Sequence, residues 1–226
     1  SHAFCSVAYT VTFTNTDLTN ADLRGCDLTG ANLTNAVLTS ANLTGAKLEN
    51  AVLLRTNLAK ATLDRAHFLN ACGTSAVMTE AKARSVDFAN AKFEKAKMEG
   101  IDMTSSKFNG ANFSKSSMVG AKLDSVKVQD TSFVSANMQN AHAHKANFDR
   151  VNFQQAKLVN ADFNSSRLKA ATMEKTDLTG SKLDGVQMAG SSFVSATMKN
   201  VHAHKAKFNG VEFLKSTLEG ADFKLS

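Results

Sequence analysis

The stretch that decides the fold is Ala41-Asn42-Leu43-Thr44-Gly45-Ala46-Lys47-Leu48-Glu49-Asn50, which contains the same five-residue pattern twice. In each half, a small residue, a polar residue and a large apolar residue precede two polar residues. The pattern continues without interruption from residue 11 to residue 223. A fixed period that runs through a chain indicates a repeat architecture.

The large apolar position can be followed in steps of five from Phe13 to Phe223, which gives 43 positions. They hold 16 Leu, 14 Phe and 8 Met, with Val, Ala or Gly at the remainder. The position two residues earlier is small or aliphatic, and no charged residue falls at either position. A helix would spread residues five apart around its cylinder, and a strand would change face every two residues. The pattern instead predicts a coil that turns a corner every five residues.

This repeat resembles the A-(D/N)-L-x-x unit of the pentapeptide-repeat family, and the unit stands at Ala21-Asp22-Leu23, Ala31-Asn32-Leu33 and Ala221-Asp222-Phe223. The resemblance covers nearly the whole chain. It implies an all-β fold, the right-handed quadrilateral parallel β-helix, in which four repeats form one 20-residue coil. On that basis the 43 repeats make about 11 coils of one solenoid.

Two regions follow from where the pattern begins. Residues 1–10 lie outside it and are expected to form an N-terminal cap, which a solenoid needs to cover its first coil. Residues 11–226 are expected to form the β-helix. From about residue 73 a 60-residue super-repeat appears, in which Ala141-His142-Ala143-His144-Lys145 returns as Val201-His202-Ala203-His204-Lys205. Tandem duplication explains this period, and a duplicated binding face would produce the same pattern.

The core thins between residues 71 and 85, because Gly73 and Ala83 take large positions. Two alternatives are open. A neighbouring large side chain, Phe93, fills the space, or a cavity remains that could serve as a ligand pocket. Because the register survives on both sides, local repacking is the favoured interpretation.

The composition excludes several classes of protein. The sequence contains no apolar run long enough for a transmembrane helix, no glycine-rich phosphate loop and no pairing of a nucleophile with a base. Neither an enzyme nor a bound cofactor is therefore expected. Cys26 occupies a small inward position as a compact hydrophobe, with a Cys5–Cys26 bridge as the alternative in an oxidising compartment, and Cys72 should face outward. Cytoplasmic, secreted and thylakoid or periplasmic locations are not distinguished.

The paired histidines are the best candidates for a site. His142 and His144 flank an inward Ala143, so both side chains should point outward. A 20-residue coil brings aspartates from the adjacent coils close to them. Two sets of potential divalent-metal ligands result: His142, His144, Asp124 and Asp162, and then His202, His204, Asp184 and Asp222. A solvated ladder of alternating charges explains the same residues, and their order along the column favours it.

A second feature is a stripe of cations at equivalent positions of one column: Arg55, Lys95, Lys115, Lys175 and Lys215. Such a line could meet a phosphate backbone or an anionic membrane surface. No outward aromatic residue interleaves with it to stack on bases, so solvated lysines are the favoured interpretation.

These observations favour a non-enzymatic structural or interaction protein, a rigid rod that presents a surface to a protein partner. The residues expected to contact it are His142, His144, Lys145, His202, His204 and Lys205. The family resemblance implies one alternative, a DNA mimic that binds type II topoisomerase (gyrase), although the net charge of +6 has the wrong sign for mimicry. Binding of nucleic acid or an anionic surface through the stripe is another. Four residues near the C-terminus, Phe208, Phe213, Leu218 and Phe223, are expected to border an open end that could pair with a second copy as a homodimer.

Overall fold

The computed structural model describes residues 11–224, which contain isolated β-bridges and turns. A bridged residue recurs at every fifth position from Thr12 to Asp222, and each bridge is parallel and joins residues that are 20 apart. Twenty residues therefore complete one coil with four sides. The chain forms the predicted right-handed quadrilateral β-helix. We name its sides face A, B, C and D after their first bridged residues, Thr12, Asp17, Asp22 and Asp27.

Apart from the corner at residues 129 and 130, the corners of the described coils are tight turns with the third residue in the left-handed region. At Leu33–Ala36, the Ala36 N–H donates to the Leu33 carbonyl at 2.9 Å, and Asn35 has a φ of 56°. A positive φ confined to this residue defines a type II turn. The same conformation recurs every five residues from Asn15 to Gly220, so Asn and Gly are common there, although Lys, Arg and Ser also adopt it.

The faces are held together by backbone hydrogen bonds between coils. The Asn32 N–H donates down to the Val11 carbonyl at 2.9 Å, and the Leu33 N–H donates up to the Val52 carbonyl at 2.7 Å. This arrangement repeats along all four faces. Backbone N–H and C=O groups that would otherwise be buried without a partner bond to the adjacent coil. The interior therefore needs few polar side chains to satisfy them and can be filled largely by apolar ones.

The core is a continuous column of the large side chains. From Leu23 to Ala203 the large positions are buried, and Phe108 and Met118 are among them, whereas Lys122 is exposed. These placements confirm the predicted register. Aromatic rings stack between coils, with centroids 5.5 Å apart for Phe88 and Phe108 and 5.3 Å apart for Phe133 and Phe153.

The space beside Gly73 is filled by Phe93. A Cβ atom built on Gly73 would lie 2.1 Å from Cε1 of the Phe93 ring. The ring also contacts Phe68, Phe88 and Phe113, with centroids between 5.5 and 6.0 Å away. The structure therefore shows local repacking, and the alternative of a ligand cavity at this point is wrong.

Several hydroxyl groups at small inward positions donate to a carbonyl in the turns of the preceding coil. The Thr56 hydroxyl donates to the Leu33 carbonyl at 2.7 Å, and the Ser106 hydroxyl donates to the Ala83 carbonyl at 2.8 Å. This pairing explains how Ser and Thr can replace Ala at these positions of the core, since the buried hydroxyl keeps a hydrogen-bond partner.

Parts of the sequence analysis fall outside the described residues. The predicted cap, residues 1–10, lies there, and so does Cys5. Cys26 is buried and disulfide-bonded, in contrast to the favoured reduced state, and Cys72 is a half-buried free thiol at an outward bridge position. Within residues 11–224 there is no helix with the length and hydropathy needed to cross a bilayer.

Candidate functional site

The candidate residues lie in the bridged column of face C. Parallel bridges join Lys122 to His142, His142 to Asp162, Asp162 to Lys182, Lys182 to His202 and His202 to Asp222. The bridged neighbours Asp162 and Lys182 carry opposite charges, as expected for stacked side chains. His142 and His202 are exposed, and the inward Ala143 and Ala203 are fully buried.

His144 lies between two carboxylates from different coils. Its Nε2 is 3.0 Å from Oδ1 of Asp162, and its Nδ1 is 3.6 Å from Oδ1 of Asp124. The contact with Asp162 runs diagonally, because Asp162 is bridged to His142 and not to His144. The sequence places Asp162 above His142. It did not predict the contact between the His144 and Asp162 side chains, because the register determines only which backbone positions are neighbours.

Asp124 and Asp184 have a structural role that the sequence analysis did not assign. Oδ1 of Asp124 accepts the backbone N–H of His144 at 2.8 Å, and Oδ1 of Asp184 accepts that of His204 at 2.7 Å. Asp64 accepts the backbone N–H of Arg84 in the same way at 3.1 Å. A carboxylate at this position thus fixes the backbone one coil above it, which orients each histidine-bearing segment.

The environment of two aspartates on this face changes their proton affinity. Burial raises the pKa of Asp162, but the hydrogen bond from His144, the Asn164 N–H and the charge of Lys182 together outweigh it and lower the pKa below its ordinary value. The His204 imidazole, whose Nε2 lies 2.8 Å from Oδ2 of Asp222, lowers the pKa of that carboxyl group. Both carboxylates are therefore held in their ionised form.

The second histidine segment brings three potential ligands together. Nε2 of His204 lies 2.8 Å from Oδ2 of Asp222, and the ring of His202 stands 6.2 Å from that of His204 at an interplanar angle of 78°. Ligand atoms of His202, His204 and Asp222 all lie within 4.8 Å of one another. Among residues 11–224, no other group of three or more His, Cys, Asp or Glu side chains brings its ligand atoms this close together. Asp184, the fourth residue of the predicted set, instead binds backbone.

The cationic stripe lies along one corner of face A. Arg55, Lys95 and Lys115 are exposed and adopt the left-handed turn conformation, as do Lys175 and Lys215. Arg55 donates to Asn35 Oδ1 at 3.0 Å. Glutamates precede Lys95 and Lys175 in the sequence and partly neutralise the stripe.

A shallow groove beside Lys145 was not predicted. Residues 129 and 130 do not form the regular turn, and the Thr131 hydroxyl donates to the carbonyls of Phe108 and Gln129. The groove holds about 450 Å³ and is lined by Asn109, Ser125, Val126, Lys127, Gln129, Lys145 and Asn147. The one signal in the sequence is Val128, a smaller residue at a large position.

Family models decide the classification. A model of pentapeptide repeats matches residues 16–53, 41–72, 87–124 and 116–155, and a model of a pentapeptide repeat region matches residues 146–223. The chain belongs to the pentapeptide-repeat family. Pentapeptide-repeat proteins are generally structural or interaction proteins, and the family accounts for the quadrilateral coil described above.

Several solved structures are similar to this pentapeptide-repeat chain. HetL, a pentapeptide repeat protein involved in heterocyst differentiation regulation from the cyanobacterium Nostoc sp. strain PCC 7120, is 19% identical, covering 94% of this chain and 89% of its own, with a TM-score of 0.37. A trypsin-treated form of QnrB1, a plasmid-mediated fluoroquinolone resistance protein, is 16% identical, covering 95% and 92%, with a TM-score of 0.42. No curated protein matches the chain by sequence.

Proposed function

We propose that this pentapeptide-repeat protein is a non-enzymatic binding rod whose face C presents two His-Ala-His-Lys segments to a protein partner. The observation that carries the proposal is the placement of both segments on one face, 60 residues and three coils apart. At the spacing of stacked strands this separation is about 14 Å. Both segments can therefore contact a single partner surface.

The rigidity of the segments supports this function. The backbone of each is held by hydrogen bonds to the coils above and below, as at Ala143, whose N–H donates to the Asp162 carbonyl at 2.7 Å. Carboxylates fix the segments further through the N–H groups of His144 and His204. A surface that is already ordered loses little conformational entropy on binding, and two linked contacts reinforce each other.

The charge of the exposed groups indicates the chemistry of the partner. Lys145 and Lys205 are exposed at the corner of face C, and Lys182 is exposed between them. His142 and His202 are exposed beside them. Basic side chains arranged on a flat surface complement an acidic protein surface. The net charge of +6 also gives this rod the opposite sign to a mimic of DNA.

Affinity capture from the source organism tests the proposal. The bait is the whole chain, compared with a face C variant that combines His142→Ala, Lys145→Ala, His202→Ala and Lys205→Ala. These four side chains are exposed, so their removal should leave the thermal unfolding curve unchanged. A matched control on face A removes the exposed cations Lys95, Lys115, Lys175 and Lys215.

The expected result is a partner retained by the wild type and by the face A control but lost from the face C variant. Equal recovery of all partners with the face C variant would refute the proposal that face C contacts the partner. If the partner is lost only from the face A control, the cationic stripe is the binding surface instead. Retention of the chain on heparin that weakens as the salt concentration rises would then show that the stripe binds an anionic ligand.

The C-terminal end supports a second interaction, self-association. Four residues, Phe208, Phe213, Leu218 and Phe223, line an open apolar cavity of about 290 Å³ at this end. The Leu218 side chain is 40% exposed. Large apolar side chains grouped on a surface are typical of protein contacts.

Sedimentation of the pure chain tests self-association. Leu218→Lys should shift the protein from dimer towards monomer, because a charge would be buried in the contact. Leu214→Lys is the matched control, since Leu214 is 58% exposed but does not line the cavity. A wild-type chain that sediments as a monomer at all concentrations would refute the dimer.

A further inference from the structure

The second His-Ala-His segment has the arrangement of a metal site. His202 and His204 flank the buried Ala203, so both imidazoles leave the same face of the rod. The bridge from His202 to Asp222 adds a carboxylate from the next coil. The ligand atoms of these three residues lie within 4.8 Å of one another. Ligands of a tetrahedral zinc ion stand about 3.3 Å apart, given bond lengths of about 2.0–2.2 Å.

The adjustment that an ion requires is small. His204 Nε2 and Asp222 Oδ2 are 2.8 Å apart, so this pair must separate slightly and the exposed His202 ring must rotate towards it. The backbone that carries the ligands is held by hydrogen bonds between coils. The His202 N–H donates to the Ser181 carbonyl at 3.1 Å, and the Asp222 N–H donates to the Val201 carbonyl at 2.8 Å. Ligands mounted on such a ladder are largely preorganised.

We propose that His202, His204 and Asp222 bind one divalent transition-metal ion of the zinc class, with water at the remaining positions. Two imidazole nitrogens and one carboxylate suit Zn²⁺, Co²⁺, Ni²⁺ or Cu²⁺, whereas Mg²⁺ and Ca²⁺ prefer oxygen ligands only. The Lys224 ammonium, 3.4 Å from Asp222 Oδ2, swings into solvent when the ion binds, since its side chain is 76% exposed. This site does not depend on a protein partner.

The first histidine segment provides an internal control. It has the same residue types, His142, His144 and Asp162, but the Asp162 side chain is only 12% exposed compared with 30% for Asp222. Oδ2 of Asp162 lies 3.6 Å from the Lys182 ammonium. His144 also contacts both Asp124 and Asp162. Metal binding there would break these contacts, so the ion should select the second segment.

Calorimetric titration of the untagged, EDTA-dialysed chain with ZnCl₂ tests the site. The variants are His202→Ala and, as the matched control, His142→Ala, which removes the equivalent exposed imidazole three coils away. MgCl₂ is titrated in parallel. Co²⁺ gives an independent readout, because its visible absorption depends on the ligands and geometry around it.

One Zn²⁺ should bind per chain, with an affinity at least about tenfold lower in His202→Ala, a loss found even for residues that merely orient a ligand. His142→Ala and the wild type should bind equally, and Mg²⁺ should not bind. The inference is overturned if Zn²⁺ does not saturate, if His202→Ala binds as the wild type does, or if His142→Ala loses the same affinity. Unfolding curves of both variants verify that neither change alters the fold.

Discussion

Replacement of Gly73 by alanine should destabilise the rod even though the residue gains only a methyl group. The new Cβ would stand 2.1 Å from Cε1, 2.5 Å from Cδ1 and 2.8 Å from Cζ of Phe93. The ring has little room to retreat, since Phe88 packs against it edge-on at 5.5 Å and Phe113 stacks on it at 6.0 Å. The clash must therefore be relieved by strain in the surrounding core.

The magnitude follows from two opposing effects. Overpacking of a filled core costs about 1–3 kcal/mol. Alanine also restricts the unfolded chain, which returns about 0.4–1 kcal/mol at a position without positive φ, as at Gly73. The expected net loss for Gly73→Ala is about 1–2 kcal/mol in the free energy of unfolding.

Urea denaturation followed by circular dichroism measures this loss, and Phe93→Leu completes a double-mutant cycle. If the clash is the cause, the double variant should lose less than the sum of the single variants, by about 0.5–3 kcal/mol. Gly45→Ala is the control, because Gly45 has a φ of +66° and open space around its Cβ position. Its cost should be unaffected by Phe93→Leu. Strict additivity of Gly73→Ala and Phe93→Leu would refute the reasoning.

Two further predictions concern the carboxylates and the buried hydroxyls. The pKa values of Asp162 and Asp222 are lowered in the folded chain, so their ionised forms stabilise it above the unfolded pKa of about 3.9. This stabilisation should disappear as the pH falls through the lowered pKa values of the folded chain. The free energy of unfolding in urea, measured between neutral and acid pH, should therefore depend less on pH in Asp162→Asn than in the wild type. Ser116→Ala should be neutral or stabilising by up to about 1 kcal/mol, because within the described rod the buried Ser116 Oγ has no hydrogen-bond partner. Ser106→Ala should instead cost about 1–3 kcal/mol, since the Ser106 hydroxyl donates to Ala83 and accepts from the Val86 N–H; equal effects of the two changes would contradict this account.

The fold was predictable because its determinant is local. Each five-residue unit specifies which side chains point inward. A shift of the register by one residue would bury charged side chains such as Lys122, which is unfavourable. The number of repeats per coil came from the family resemblance, and the bridges between residues 20 apart agree with it. Once that number is known, the bridged neighbours of His142 and His202 follow directly.

Side-chain contacts between coils were less predictable. The register placed Asp162 above His142, but the carboxylate binds His144, because a side chain on a flat face can lean towards either neighbour. Asp124 and Asp184 were predicted as metal ligands, and the structure gives their Oδ1 atoms backbone N–H groups instead. A backbone donor one coil away has no signature in the sequence.

The sequence by itself determined which side chains point inward and which point outward. Burial of the Leu, Phe and Met side chains is favourable because it removes apolar surface from water, whereas the charged side chains stay solvated. Only the tertiary structure decided between the alternatives that the sequence left open: Phe93 fills the space beside Gly73, and His202, His204 and Asp222 converge without Asp184. Those outcomes depend on rotamers chosen jointly by side chains from different coils, which a periodic pattern cannot specify.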